Sequence, residues 1–414
     1  MNGAMAIDAD LIARVDATVT RFVSWLDAYG ETSYDHQSYF AGPIGGRAKS
    51  LYYRNRALGT VAVMPMILSE AFLPAARRLF WKAMRFPIAD AHYASGFAFL
   101  AARSDNPAYR RRSEHFLEML LQTSTPGYSG GAWGYPFDWV TLKGTVKEGT
   151  PFITTLPYVY EAFEQLYRLE REDRWLAAMH SIAEHGYRDY ADSPTSANAA
   201  SCSYSPGPPD GAYVINASAY RAFLLTKAAC DLGHPDYRAA AERNLNFVLD
   251  SQNADGSWYY AVDGTRDFVD HFHTCFVLKA LAKVHSLTRS DRCAAAIDRG
   301  IAYYLADLID ADGLPKPFSR APRMTVYKRE LYDFAECVNL GLLLRDRHPE
   351  LNRVVSTVVS DVLRRWCKAD GSFRSRELHV GWDNVPMHRW AQSQMFRSLS
   401  FLLYQRAPAA IAGN

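Results

Sequence analysis

The chain has 414 residues, 49% of them apolar, with 46 basic side chains against 44 acidic ones. That balance excludes a protein built around a polyanion, so nucleic acid is not expected as a partner. The length would admit two average domains, yet one closed repeat architecture absorbs it without a linker, and a single domain over 1–414 is expected.

The opening stretch, MNGAMAIDADLIARVDATVTRF, places two aspartates before any apolar run and has no basic segment followed by a cleavage pattern. No signal peptide is expected. Residues 1–50 read as an outer helix followed by a loop. The longest mainly apolar run, 58–73, contains Pro65 and Glu70, and it falls short of the roughly 20 residues that a membrane-spanning helix needs. The six cysteines, Cys202, Cys230, Cys275, Cys293, Cys337 and Cys367, have no CxxC spacing. Several lie in apolar helical runs, where buried free thiols are common. These features together predict a cytoplasmic protein without a transmembrane segment.

Helical periodicity dominates the rest, in two alternating kinds. Segments 8–29, 108–122, 173–190, 236–250, 291–308 and 351–366 are charged along one face and read as outer helices. Segments 88–102, 151–169, 212–232, 267–287, 326–345 and 386–403 are apolar nearly all round, with polar groups near their starts, and read as buried helices. Six such pairs predict an all-α, (α/α)6 toroid. A hairpin around 51–84 would make it seven pairs, or the ring could be incomplete. No convincing strand pair is apparent. The long loops 124–149, 192–211, 312–325 and 368–386 precede buried helices and should gather at one mouth of the ring, where loops carry function.

The turn SQNADGSW, ending at Trp258, follows an outer helix, and versions of it recur as LLQTSTPGYSGGAW, DADGLPKPF and KADGSF. A recurring device at helix ends is the mark of a helical repeat. The positive φ available to glycine ends each helix, and the Gln and Trp staple the turn.

Chemistry is densest in AVDGTRDFVDHFHTCFVLKAL, where Asp267, Asp270, His271 and Thr274 follow i, i+3, i+4, i+7 and would share one helix face, with Asp263 upstream. Asp267 could cap the helix and Asp270 complement its dipole; an acid beside an imidazole at a cavity mouth is equally an acid/base pair. His271, His273 and Cys275 alternate and diverge on a helix, so no metal is expected. The loop GGAWGYPFDW offers Trp133, Tyr135 and Trp139 as stacking platforms around Asp138, or as an aromatic seal on the loop. Tyr158 heads a polar stripe with Glu161 and Gln165, and Arg329, Asp333, Glu336 and Asn339 form another. Tyr213 and Asn216 begin a third buried helix, and GWDNVPMHRW supplies Trp382, His388 and Arg389. Acids, amides and aromatics near the starts of four or more buried helices predict a shared polar pocket suited to a carbohydrate. Asp267, Asp270, His271, Asp138 and Glu336 are the acid/base candidates. Trp133, Tyr135, Trp139, Tyr158, Tyr213, Trp258, Asp263, Arg329, Trp382, His388 and Arg389 are the candidate substrate contacts.

The phrases AWGYPFDW, GTPFITTLPYVYEAF, DGSWYYAVDG, DHFHTCFVLKAL, RELYDFAECVNL and GWDNVPMHRWAQSQMFRSL resemble bacterial polysaccharide biosynthesis proteins encoded in exopolysaccharide and O-antigen gene clusters, some labelled prenyltransferase-like or squalene cyclase-like. The resemblance runs from about Gly130 to Leu399. It implies a toroid and a role in surface glycan synthesis, with a glycan or lipid-linked glycan as substrate and a membrane glycosyltransferase complex as a partner. It brings no catalytic residues to transfer. The acidic DxDD run of terpene cyclases is absent, as is the zinc ligand spacing of protein prenyltransferases. Hydrolysis, elimination or epimerisation without a cofactor is the first expectation. A glycan-binding assembly partner and an isoprenoid-handling enzyme are the alternatives.

Overall fold

The computed structural model describes residues 7–104 and 106–406, and in it the two kinds of helix separate into two concentric layers. The chain opens with α1 (Ala9–Tyr29), then α2 (Ser38–Ala41), α3 (Pro43–Arg54) and α4 (Arg56–Phe72). Five inner–outer hairpins follow: α5 (Pro87–Ser104) with α6 (Pro107–Gln122), α7 (Leu156–Glu170) with α8 (Asp173–Arg188), α9 (Ile215–Leu232) with α10 (Pro235–Asp250), α11 (His271–Thr288) with α12 (Asp291–Tyr303), and α13 (Leu331–Leu344) with α14 (Leu351–Asp361). The last inner helix is α15 (Ser393–Gln405).

Burial follows pattern. In α9 every residue from Ile215 to Ala229 is buried, whereas α10 buries only Tyr237, Ala240, Ala241, Asn244, Phe247 and Val248, one stripe at helical spacing. Each inner helix packs on the next from α5 through α7, α9, α11 and α13 to α15, and α15 packs back on α5. The outer partner of α15 is α1, so the chain's first helix completes the sixth pair. The fold is a closed (α/α)6 toroid. The α3–α4 hairpin is not a seventh pair; it lies against α2, β1 (Trp139–Thr141) and a 3-10 turn at Pro74–Leu79.

Short strands, which the sequence did not reveal, lace the loops together. β1 pairs with β2 (Gly144–Val146), β3 (Asp192–Pro194) with β4 (Ala200–Cys202), β5 (Val269–Asp270) with β6 (Phe318–Arg320), and β8 (Arg376–Leu378) lies between β7 (Tyr327–Glu330) and β9 (Trp382–Asp383), all antiparallel. Helices expected to begin at 267 and 326 therefore start at His271 and Leu331, after extended residues committed to a neighbouring loop. The first N–H of an inner helix has no intrahelical acceptor, and here the following loop supplies one: Ile215 donates to Tyr260 O (3.1 Å), His271 to Pro317 O (3.0 Å) and Leu331 to Ser375 O (3.1 Å).

The repeated turn is architectural. Gln252 Nε2 donates to Gly256 O (3.0 Å) and to Ala296 O of the next outer helix (2.9 Å), and Trp258 Nε1 donates to Val248 O (2.9 Å). Trp133 repeats the indole bond, donating Nε1–H to Leu120 O at 2.8 Å. Gly256 (φ 93°) sits on Arg299 O of α12, and Gly371 (φ 93°) sits on Arg21 O of α1, where an added Cβ would lie 2.6 Å from that oxygen. The second contact joins the end of the ring to its beginning. Gly371→Ala should destabilise the fold by roughly 2–4 kcal/mol, combining left-handed strain with displacement of α1, whereas Gly233→Ala, at positive φ but facing open space, should cost about 1 kcal/mol. Denaturant titration of the two variants checks this; equal losses would mean that contact with α1 is not the constraint.

Candidate active site at the ring mouth

The N-terminal ends of the inner helices converge with the laced loops at one mouth. There Asp270 is the N-cap of α11: its Oδ1 accepts the His273 backbone N–H (2.8 Å), and its Oδ2 lies 2.6 Å from His273 Nδ1. The carboxylate is buried while the imidazole retains 20% exposure. With Nδ1–H donated to Asp270, Nε2 is the ring nitrogen left as an acceptor. The ring is packed by Tyr260, Phe268, Phe272 and Phe276.

Beside this dyad, Trp390 stacks on Tyr332 (centroids 4.6 Å, planes 9° apart), with Phe272 and His36 at the Trp390 edge. Arg389 donates to both Asp35 oxygens (2.8 and 3.1 Å) and to Tyr135 OH (3.1 Å), and lies over the Tyr135 ring. Burial opposes ionisation of Asp35, but the charges of Arg389 and His36 hold its carboxyl far below the ordinary range. Burial pushes the Tyr260 hydroxyl up to about 12, and that of Tyr204 rises for the same reason with Tyr260 and Tyr135 nearby.

Deeper in, side chains bridge the lumen between helices that are not ring neighbours. Lys283 of α11 reaches Glu161 of α7 (2.5 Å), Arg397 of α15 lies 3.7 Å from the same carboxylate, and Lys279 donates to Tyr158 OH (3.4 Å) while pairing with Glu336. Tyr158 and Tyr220 share a 2.6 Å hydrogen bond, and Gln394 Nε2 meets His92 Nε2 at 2.6 Å. Three cations thus share two carboxylates. Burial and the charges of Arg397 and Lys279 pull the Lys283 amine down to about 8 despite Glu161, whereas Glu336 overcomes burial at Lys279 and raises it. Both polar side-chain atoms of Asn216, Gln165 Oε1, His92 Nδ1 and Arg397 Nε are buried with no hydrogen-bond partner in the protein. Buried polar atoms of this kind are ordinarily satisfied by water or ligand.

Of the residues singled out from sequence, Asp270, Glu336, Tyr135, Tyr158 and Arg389 belong to this mouth and lumen, and Trp139 packs on Tyr135 at its rim. The others lie elsewhere. Asp267 is half exposed and bound to Arg320, Asp138 is exposed and bound to Lys147, and Asp263 closes its own turn with Thr265 and Arg266. Asp267 and Asp270 do not share a helix face with His271, because both precede α11. His271 points between α11, α13 and α12, where Nε2 meets Tyr304 OH at 2.8 Å and Nδ1 lies 3.7 Å from Asp333. This is not an ion pair: burial lowers His271 to about 3, while burial and the neighbouring Glu330, Asp270 and Glu336 raise Asp333. Trp133 and Trp258 are buried turn staples, not platforms. Trp382 packs edge-on to Trp366 beneath Arg365 and Arg374, and Arg329 binds Asp310 and Glu377. Tyr213 occupies a positive-φ position (49°) before α9, and its backbone carbonyl accepts the Val262 N–H. His388 is enclosed: Nε2–H donates to Gly30 O (3.0 Å), and Nδ1 accepts from Tyr93 OH (2.5 Å).

Residues the sequence reading passed over complete the site: Asp35, His36, His92, Lys279, Lys283, Tyr332, Trp390 and Arg397. The available signal was the lysine pair, four residues apart in the mainly apolar middle of a buried helix. A cleft on the outer wall, lined by Leu121, Tyr128, Ser181 and Ile182 among others, holds no carboxylate, imidazole or cation and is remote from this chemistry.

No family model matches the sequence, and neither does any curated protein. Solved structures do match the fold. A GH76 α-mannanase of Bacteroides thetaiotaomicron aligns at TM-score 0.59 and 10% identity, over 78% of this chain and 87% of its own. Cellobiose 2-epimerase of Bacillus thermoamylovorans aligns at 0.59 and 9%, over 78% and 88%. A polysaccharide lyase aligns at 0.53 and 14%, over 77% and 89%. At these identities the likeness establishes the α/α toroid.

The buried histidines couple stability to pH. Burial depresses His388 to about 4 and His271 to about 3, against about 6.5 in an unfolded chain. Their contribution is present above pH 6.5 and lost as pH falls towards 4, because the unfolded chain takes up the protons first. Asp333, raised in the fold, acts in the opposite sense. Denaturation curves at pH 7 and pH 4 should show the parent losing roughly 3 kcal/mol more than His388→Gln. An identical slope in the variant would place the proton uptake elsewhere.

Proposed function

We propose that this chain is an enzyme that moves a proton on a saccharide at the ring mouth, epimerising the sugar or cleaving its glycan by elimination. The Asp270–His273 dyad carries the reading. His273 Nε2 takes the proton from carbon next to a carbonyl or carboxylate, Asp270 fixes the tautomer, and Arg389, braced by Asp35, polarises that group. Trp390 on Tyr332 offers the sugar ring a flat aromatic face. The cationic excess at Lys279, Lys283 and Arg397 favours a substrate with an acidic group, such as a uronate.

Hydrolysis needs a carboxylic acid and a carboxylate free to face one another across the bond. Here Asp270 is engaged by His273, Glu336 by Lys279 and Glu161 by Lys283, which favours proton transfer by imidazole. An isoprenoid pocket would be apolar, unlike this lumen. The setting, synthesis of a bacterial surface polysaccharide on a glycan or lipid-linked glycan beside a membrane glycosyltransferase complex, rests on the sequence resemblance.

Incubation with acidic and neutral oligosaccharides in heavy water, followed by nuclear magnetic resonance, tests the reaction. Solvent deuterium should appear at the carbon next to the carbonyl of an epimer, or an unsaturated uronate should accumulate. His273→Gln should lower kcat by about 10²–10⁴-fold. Cleavage without an unsaturated or deuterated product, undiminished in His273→Gln, would make the protein a hydrolase; binding without turnover would make it a glycan-binding partner.

A further inference from the structure

The α3–α4 hairpin departs from the rest of the surface. Ile44, Leu58, Val61, Leu68, Phe72 and Leu79 are each at least half exposed. On α4 the exposed apolar residues Leu58, Val61, Met64, Leu68 and Phe72 fall at spacings of three and four and form one stripe. The opposite face of α4 carries the buried Gly59 and Met66, so the stripe points away from the protein. A helix with a water-facing side ordinarily presents polar residues there.

Charge is as uneven as hydropathy. Residues 43–82 hold seven basic side chains, Arg47, Lys49, Arg54, Arg56, Arg77, Arg78 and Lys82, against the single acid Glu70, in a chain whose totals nearly cancel. Glu70 is spent on Arg376, and Arg77 is buried against Asp383. Arg47, Arg54, Arg56, Arg78 and Lys82 remain exposed around the stripe. Lys49 lies close enough to Arg323 for burial and that second cation to lower its amine to about 8, so the basic rim extends onto the neighbouring loop. Met324, next to Arg323, is 94% exposed, and on α3 Tyr52 and Tyr53 pack edge to face.

We propose that the α3–α4 hairpin docks in the plane of a membrane surface rich in anionic lipid, its apolar stripe entering the acyl boundary and its arginines meeting the headgroups. An amphipathic element of this composition partitions to such an interface without spanning the bilayer. Among the described residues no helix is long and apolar enough to cross. A second copy of the chain is the poorer occupant, because two such faces would set arginine against arginine. The hairpin adjoins the site: α3 packs on β1, and Arg77 contacts Met387, one residue before the π turn His388–Gln392 that carries Arg389 and Trp390. Docking would hold the ring mouth close to the lipid.

Vesicle flotation with the full chain tests the assignment, using phosphatidylcholine vesicles with and without phosphatidylglycerol. Binding should require phosphatidylglycerol, weaken with salt, and fall at least tenfold in Val61→Asp/Leu68→Asp and in Arg54→Glu/Arg56→Glu. Arg238→Glu on the outer wall should leave it unchanged. Circular dichroism and sedimentation on the same samples establish that the variants fold. Absence of binding by the parent at low salt, or equal binding by both double variants, would overturn the proposal. So would a homodimer that Val61→Asp/Leu68→Asp dissolves in a chain that ignores both vesicles.

Discussion

The ring depends on where the first N–H groups of its inner helices find acceptors. A helix N-terminus leaves donors unpaired, and burial makes each one costly. In this chain Ile215, His271 and Leu331 each donate to a carbonyl of the loop that follows their own hairpin and leads into the next. The bond therefore does two things: it satisfies the helix, and it fixes the loop of one hairpin to the start of the preceding one. Repeated around the mouth, it turns long connections into an ordered rim, with β5–β6 and β7–β8 as extensions of the same pairing. It also aims the positive ends of the inner helices at the mouth, where an anionic group is favoured.

Closure imposes a second demand, because the last inner helix has no following hairpin. The N-terminal segment takes that role. The His388 backbone N–H donates to Ser33 Oγ (2.9 Å), and the His388 ring bonds to Gly30 O. Trp25 and Tyr29 of α1 pack on the same imidazole, and Gly371 seats the final outer turn on Arg21 O. His388, which its place in a polar phrase suggested as a substrate contact, is thus the pin between the chain's two ends. Arg389, the next residue, faces the mouth, so the contacts that close the ring also fix the place of a candidate site residue.

What could be read from the sequence follows from the range of the interactions involved. Outer and inner helices were legible because amphipathicity is local, and the Gln–Gly–Trp turn because it repeats. Starts of α11 and α13 were misread because Val269 pairs with Arg320 and Glu330 with Arg376, contacts between residues about fifty apart in sequence. That error carried into the site. Treating 267–271 as helix put Asp267, Asp270 and His271 on one face; extended backbone up to the N-cap leaves Asp267 outside, and the first helical turn sends His271 into the core and His273 to the mouth. Glu336 and Tyr158 stand out in the sequence because a polar row on a buried helix requires an explanation. Lys279 and Lys283 were passed over, and no local signal pairs them with acids on other helices.

The depth of the lumen shapes how a substrate could use it. At 1.5 Å rise per residue, Lys283 lies about 15 Å further along α11 than His273. Between those levels Lys279, Tyr158 and Tyr220 bridge the interior, so a chain entering at the mouth meets the bridged floor and does not thread through the ring. On the proposed reading, its terminal acidic group would settle on this floor towards Lys279 while the reacting carbon stays near His273. The unpaired atoms of Asn216 and His92 would then meet hydroxyl groups. A site of that shape favours action near a chain end or on a short oligosaccharide, because a long polymer could present only its terminus to a floor closed by its own ion pairs.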